Sequence, residues 1–409
     1  MKLNREGRSV DVKTAFATVL RCALQEEKLP AVDESLWQPL LELAHAQHLF
    51  GIISEKLAEL PAFCASALYD AALRRNVQHS MQQSQKDVAF FGLYRAMEEA
   101  GLRPLVLKGP VCRQAYGTLG NLRPSGDEDL MVPPADFARA WQVLEEQGYI
   151  PLKKIQDVDA NTVHHELFHH ENGHRIELHV HPIGVINSVL QQMDAYFDEA
   201  FERAVSVELP GSRVYTMCPT DHYLLLIFHA AKHFCGSGFG IRLLTDVAMF
   251  YRSQAEEIDV ARVEEAMCAC RLEGLYADMV CLANEKLGFT LPELGKTVCP
   301  QVLLDHMLES GVFGESNMTA ALANTVTFSS IRHGSGTGKA FWKLVFPPKE
   351  QVELLHPELR SRPLKLLLYY PKRWLKATRM ALGVRGTSPV RSLMDSHKRL
   401  KLLKRYGIQ

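Results

Sequence analysis

The amino-acid sequence predicts an α+β protein in which a small strand-and-helix core is flanked by helical regions on both sides. Three observations carry this. Residues from about Val12 to Glu99 keep apolar side chains at three- and four-residue spacing, the helical period. Between Pro104 and His181 short apolar runs and strict alternation take over, the strand period. After Tyr215 helical spacing returns and continues toward the C-terminus.

Composition sets bounds on this picture. At 409 residues the chain is too long for one hydrophobic core, so two or three units are expected. With 47% apolar residues and 47 acids against 46 bases, net charge points to no particular partner, and nucleic acid is not indicated by it. The nine cysteines are scattered, odd in number and contain no Cys-x-x-Cys pair, which argues against a disulfide framework or a zinc ribbon. No signal-length apolar segment opens the chain, and no apolar run is long enough to span a bilayer. A cytoplasmic protein with no membrane partner is expected.

The N-terminal region, residues 1–100, reads as a helical collar, with segments Leu36 to Leu60 and Ala65 to Ala100. His45 and His48 could share a helix face there, but lack a third metal ligand. The core is assigned to residues 101–216. Its first strand, Leu105 to Leu107, breaks at Lys108-Gly109, and Pro110 suits the first position of a helix because its missing N–H is not needed there. A second strand follows Asp127-Glu128-Asp129, and alternation places Asp127 and Asp129 on one face, roughly 6 to 7 Å apart. Two carboxylates held that close repel unless a cation lies between them or one is protonated. A helix over Ala135 to Gly148 ends where Gly148 suits a left-handed C′ position.

Next come two strands joined at Asn172-Gly173, a two-residue hairpin signal. In the second arm Ile176, Leu178 and Val180 face the core, which puts Glu177 and His179 on the other face. Val205 to Tyr215 reads as one further strand. In the helical region 217–330, Thr220 is the expected N-cap of a helix to about Phe234 that carries His229, Lys232 and His233. Gly236, Gly238 and Gly240 link it to a helix with Arg242 and Asp246 four apart. Residues 331–409 read as a loop and a basic extension with eleven Lys or Arg against one acid, Asp395, from Pro371 onward.

Three carboxylates on neighbouring strands, Asp127, Asp129 and Glu177, suit two-metal phosphoryl chemistry, because hard oxygen donors hold Mg²⁺ or Mn²⁺. Lys108 and Gly109 offer a charge and a close backbone approach to phosphates. The order L-K-G, R-P-x-G-D-x-D-L-x-V, Gly-Tyr and I-E-L-H resembles the uncharacterised nucleotidyltransferase-like family within the DNA polymerase β superfamily. The likeness extends to the D-x-x-L-L-x-x-x-H-x-x-K-H helix at Asp221 to His233 and the R-L-L-x-D-V segment ending at Val247.

That resemblance implies a polymerase-β-type core in which Asp127 and Asp129 ligate metal. Glu177 is the third carboxylate and assists deprotonation of an attacking hydroxyl. Arg123, Ser125 and His179 join Lys108 and Gly109 as nucleotide contacts, while His229, Lys232, His233 and Asp246 lie in the helical part covering the nucleotide. The implied reaction moves a nucleoside monophosphate from an NTP to a hydroxyl acceptor, a small molecule, a peptide or protein, or RNA. Two positions depart from the superfamily: Lys-Gly-Pro stands for Gly-Ser, and Glu128 stands where an aliphatic is usual, which calls for water or a partner such as Arg123.

The same residues admit rival readings. A catalytically inactive nucleotide- or protein-binding module would keep the fold. His165-Glu-Leu-Phe-His169 matches the zinc-protease H-E-x-x-H, which needs a helix, whereas alternation around it predicts a strand. Gly334 to Lys339 falls short of a P-loop at His333 and Ala340. His229 and His233 have helical metal-ligand spacing without a third ligand.

Overall fold

A computed structural model describes residues 5–153, 158–160, 163–184, 188–235, 239–310 and 401–407. Contacts divide the chain into two units, one of residues 1–231 and 240–312, the other of 232–239 and 313–409. Gly236, Gly238, the stretch Ser329 to Gly338 and the basic residues from Pro371 to 400 lie outside the described residues. In the second unit, residues 401–405 are helical. There the Phe234 ring meets Phe239 and Tyr406 edge-on, at 5.7 and 5.5 Å between centroids.

The first unit begins with helices Arg5–Leu24, Glu34–Ala46, Phe50–Leu57, Pro61–Cys64 and Ala67–Glu99. Asp33 caps the second through its side chain, which accepts the Ser35 N–H. His45 and His48 do not share a helix face. His48 sits at φ +54° in the break between two helices, and the His45 ring contacts Arg75 at 2.7 Å. The 33-residue helix Ala67–Glu99 is fastened to the sheet by Tyr94, whose hydroxyl donates to the Pro104 carbonyl and accepts the Tyr215 N–H.

Seven strands form one mixed sheet: β1 Leu105–Val106, β2 Glu128–Met131, β3 Ile150–Pro151, β4 His165–His169, β5 Arg175–His179, β6 Val205–Leu209 and β7 Ser212–Thr216. Their order is β3-β4-β5-β2-β1-β7-β6. β2 runs antiparallel to β1 and parallel to β5, and β1 runs parallel to β7. Helix Pro110–Ala115 starts at Pro110 as expected, and Gly148, at φ +82°, follows helix Phe137–Glu146. Trp141 of that helix packs edge-on against Phe168 of β4 at 4.9 Å, fixing one face of the sheet as core.

Two local expectations change. The β4–β5 connection is a three-residue loop, because the His170 N–H donates to the His174 carbonyl and leaves Glu171, Asn172 and Gly173 outside the ladder. The Asn172 side chain accepts the His174 N–H, so asparagine shapes the turn from the second of three loop positions, where a two-residue turn would have it first. Val205 to Tyr215 is a hairpin, β6 and β7, that bends at Pro210-Gly211.

Helices Pro219–Cys235, Ile241–Gln254, Val260–Ala269, Glu273–Leu287 and Pro300–Ser310 follow. The first starts at Pro219, so Thr220 lies inside it, and its hydroxyl accepts the Asp259 N–H instead of capping. No helix among the described residues is long and apolar enough to cross a membrane.

Two predictions come from this framework. His222 is buried, stacked on Phe250 at 4.6 Å and bonded to the Thr216 hydroxyl at 3.1 Å. Burial, with the charges of Lys108 and Arg123, pushes its pKa down to about 3. The unfolded chain takes a proton near the ordinary value while the folded chain does not, so this stability is full above that value and lost as pH falls toward 3. Urea unfolding at pH 5 should show His222→Phe with a shallower acid loss than wild type by about 2 kcal/mol; equal slopes would rule His222 out as the cause. Gly109, at φ +50°, has Glu128 Oε2 only 1.6 Å from where a β-carbon would stand. Gly109→Ala should therefore cost about 3 kcal/mol or more in the same assay, and a cost within 1 kcal/mol or so would contradict that packing.

Candidate functional site

The site grows from the two faces of β2. Alternation sends Glu128 and Leu130 to the packed side and Asp129 to the other, with Asp127 in the bend just before the strand. The parallel register sets Asp129 opposite Glu177 and Met131 opposite His179. Neighbours in register lie about 5 Å apart, so sheet pairing itself brings these side chains together. β4 extends the same face, because His165 stands opposite His179.

Charges on this face are interlocked. His179 Nε2 lies 3.0 Å from Asp129 Oδ1 and 3.3 Å from Glu177 Oε2, and Lys108 Nζ lies 3.0 Å from Asp129 Oδ1. His165 Nε2 is 3.8 Å from Glu177 Oε1. Burial and the neighbouring Asp129 and Glu177 carboxylates push Asp127 up to about 6. Asp129 is pulled upward by burial, yet Lys108 and His179 hold it well below the usual carboxylate range. Burial likewise opposes ionisation of Glu177, and its bond from His179 outweighs that and lowers it. Burial works to neutralise His179 and Lys108, but the two carboxylates keep both above their ordinary values.

Burial, and then its acidic neighbours, oppose ionisation of Asp127, which stands outside the group of ligand atoms lying within 4.8 Å of one another on this face, those of Asp129, Glu177 and His179, two of the three being carboxylates. This is the donor chemistry that a hard divalent ion suits. Ser125 shapes the approach: its hydroxyl donates to the Asp127 carbonyl at 3.0 Å, while Lys86 donates to the Ser125 carbonyl at 3.0 Å.

Glu128 is solved on the opposite face. Its partner is Arg113, at 3.3 Å, and not Arg123; Arg113 also grips Asp87. Even with this partner, burial pushes Glu128 up to about 7. Arg123 is committed elsewhere. It makes a buried two-pronged bond to Asp246, at 2.7 and 2.9 Å, and the Tyr116 hydroxyl donates to the same carboxylate at 2.8 Å. Arg242 adds a contact at 3.5 Å. The R-P-x-G-D and R-L-L-x-D-V segments are thus two halves of one ion cluster.

His229 is half-buried on helix Pro219–Cys235. Lys232 and His233, half-buried on its last turns, belong by contacts to the second unit. The H-E-x-x-H segment is strand β4, where His165 and His169 lie roughly 13 Å apart, too far for one zinc. Arg113, Tyr116 and Thr245 escaped sequence reasoning. For Arg113 a signal existed, since it sits one helical turn after Gly109 and a buried Glu128 demands a cation. For Tyr116 none did.

A mixed sheet flanked by helices, with these acids on one face, is consistent with a nucleotidyltransferase core. A family model described as uncharacterised nucleotidyltransferase matches residues 33–288, well over half of the chain, and the protein belongs to that family. No curated protein and no solved structure matches the chain.

Removing one partner of a buried ion pair strands the other, at a cost of about 3 to 5 kcal/mol. Asp246→Ala should lower the urea midpoint accordingly, leaving Arg123 and Arg242 facing each other. An unchanged midpoint would show that this cluster does not hold the fold.

Proposed function

We propose that the chain is a divalent-metal-dependent nucleotidyltransferase that moves a nucleoside monophosphate from an NTP to a hydroxyl acceptor. The observation that supports it most is the register of β2 and β5, which opposes Asp129 to Glu177, with Asp127 near enough for both charges to raise its pKa. Asp127, Asp129 and Glu177 would hold Mg²⁺ or Mn²⁺, which when bound supplies charge stabilisation at the transferring phosphoryl group.

The chain's own residues do the rest. The acceptor oxygen bonds to the α-phosphorus as the bond to the bridging oxygen breaks and pyrophosphate leaves. The hydroxyl proton passes to Glu177, whose lowered pKa keeps it ionised and ready to accept. His179, bonded to both Asp129 and Glu177, fixes the two carboxylates relative to each other. Lys108, half-buried at the edge of this face, exchanges its bond to Asp129 for a phosphate oxygen as nucleotide binds. Arg123 and Asp246 position the loop that carries Asp127, without touching nucleotide.

A silent module is the rival reading, favoured by the fact that Lys108 and His179 already neutralise the acids internally. Calorimetry with each of ATP, CTP, GTP and UTP in Mg²⁺ or Mn²⁺ separates the two, because only the enzyme reading requires metal-dependent nucleotide binding. A mass-spectrometric screen for nucleoside-monophosphate adducts then identifies the acceptor class. Asp127→Asn and Asp129→Asn should each cut transfer by about a thousandfold or more with an unchanged circular dichroism spectrum. Full activity in either variant would refute the assignment.

A further inference from the structure

We propose that His164, His165 and His179 form a second metal site, one for a first-row transition dication such as Zn²⁺ or Co²⁺. It rests on imidazole geometry and not on the nucleotidyltransferase reading. Each residue offers a ring nitrogen, and the three nitrogens lie within 4.8 Å of one another. A single ion bonds imidazole nitrogen at about 2.0 to 2.1 Å, so side-chain adjustment without a change of fold brings all three into its reach.

The cluster is built by the sheet and by a fastened loop. His165 and His179 are opposed across β4 and β5, which puts their rings on one face, 5.1 Å apart. His164, just ahead of β4, sets its ring 4.5 Å from His165 and 5.1 Å from His179. Its Nδ1 donates to the His181 carbonyl, so Nε2 carries the lone pair that a metal takes. Behind it the loop 181–184 is held by Asp194, which accepts the N–H groups of Ile183 and Gly184 at 2.9 and 3.0 Å and pairs with the His181 ring at 2.6 Å. Gly184, at φ +103°, lets this loop lie flat on His164: a β-carbon there would stand 3.0 Å from Cγ.

His179 completes the pattern. Its Nε2 is turned to Asp129 and Glu177, while its Nδ1 is buried with no hydrogen-bond partner among the described residues. A carboxylate behind one imidazole nitrogen is what orients a metal-binding histidine, raising the basicity of the other. An orphaned buried nitrogen costs stability, and coordination removes that cost. Three imidazoles select zinc-like ions, whereas Mg²⁺ prefers oxygen, so the two sites on this face take different metals. Three ligands also leave a fourth position for water or a substrate oxygen. The pair in the H-E-x-x-H segment, His165 and His169, is not this site; only His165 is shared.

The test uses full-length protein without a polyhistidine tag, stripped by chelator and titrated with Co²⁺ in excess Mg²⁺. One equivalent should bind, with visible d–d absorption of a nitrogen-rich centre. His164→Ala and His165→Ala should each weaken binding at least about 100-fold, while Asp127→Asn, in the carboxylate set, keeps it. Should a histidine variant fail to fold, X-ray absorption on cobalt-loaded wild type decides, since scattering from three imidazoles supports the site, and fewer than three, as Asp129, Glu177 and His179 would give, overturns it. No stoichiometric Co²⁺ uptake, or uptake unaffected by both histidine variants, also overturns it. None of these readouts depends on transfer activity, so an inactive protein that binds Co²⁺ would refute the function above and leave this site standing.

Discussion

The Arg123–Asp246 pair is the interaction on which the rest of the first unit hangs. It ties the loop before β2 to helix Ile241–Gln254, more than a hundred residues later, through two bonds that water does not reach. Buried ion pairs stabilise little compared with an apolar replacement of the same shape, but breaking one is costly. Their value is in specifying geometry. Here the geometry specified is the path from Arg123 through Pro124 and Ser125 to Asp127, which has four residues in which to reach the sheet face. The Tyr116 and Thr245 hydroxyls join the same cluster, so the end of helix Pro110–Ala115, the loop and helix Ile241–Gln254 are held at a common point.

Charge on the functional face follows a different logic. Three acids and two bases, Lys108 and His179, share a patch in which every carboxylate competes for the same cations. Asp129 wins, being bonded to both; Glu177 takes what His179 has left; Asp127, raised by burial and by the other two acids, gains the charge of Lys108 and a backbone hydrogen bond and stays the weakest acid of the three. A divalent ion entering such a patch meets least competition at Asp127 and most at Asp129, where it displaces an ammonium or imidazolium hydrogen bond. This asymmetry follows from the register, because His179 reaches both Asp129 and Glu177 from the end of β5, whereas Asp127 stands one step beyond β2.

Much of this could be read from the chain before its fold was known, and the parts that could not share a cause. A period-two pattern marks β5, whose Ile176 and Leu178 face the core, and a period-3.6 pattern marks helices such as Phe137–Glu146, whereas β2 is buried on both faces; alternation still puts Asp129 and Glu177 on a common side. Which strands are neighbours is a long-range fact. Nothing local says that β2 pairs in parallel with β5, or that Arg123 would choose Asp246 over the nearer Glu128. The hairpin loop is one residue longer than Asn172-Gly173 predicts, because that pair satisfies two turn types and only the ladder bond between His170 and His174 distinguishes them. The hairpin of β6 and β7 reads as one strand because two alternating runs flank Pro210-Gly211, and only the turn those two residues make divides it.

The Lys-Gly-Pro turn acquires its meaning from the same distinction. In sequence it stands where phosphate binding is usual, and glycine there suggests a backbone kept bare for a ligand. In the fold, the space above Gly109 is filled by the Glu128 carboxylate, reaching across the packed side of the sheet to Arg113. Glycine is required for packing, and helix Pro110–Ala115, at six residues, is too short to act as a strong dipole. The two departures from the superfamily pattern are therefore one feature: a glutamate buried between the aspartates, and the bare backbone that makes room for it. Lys108 is then the residue of that turn that faces the carboxylates, through its bond to Asp129.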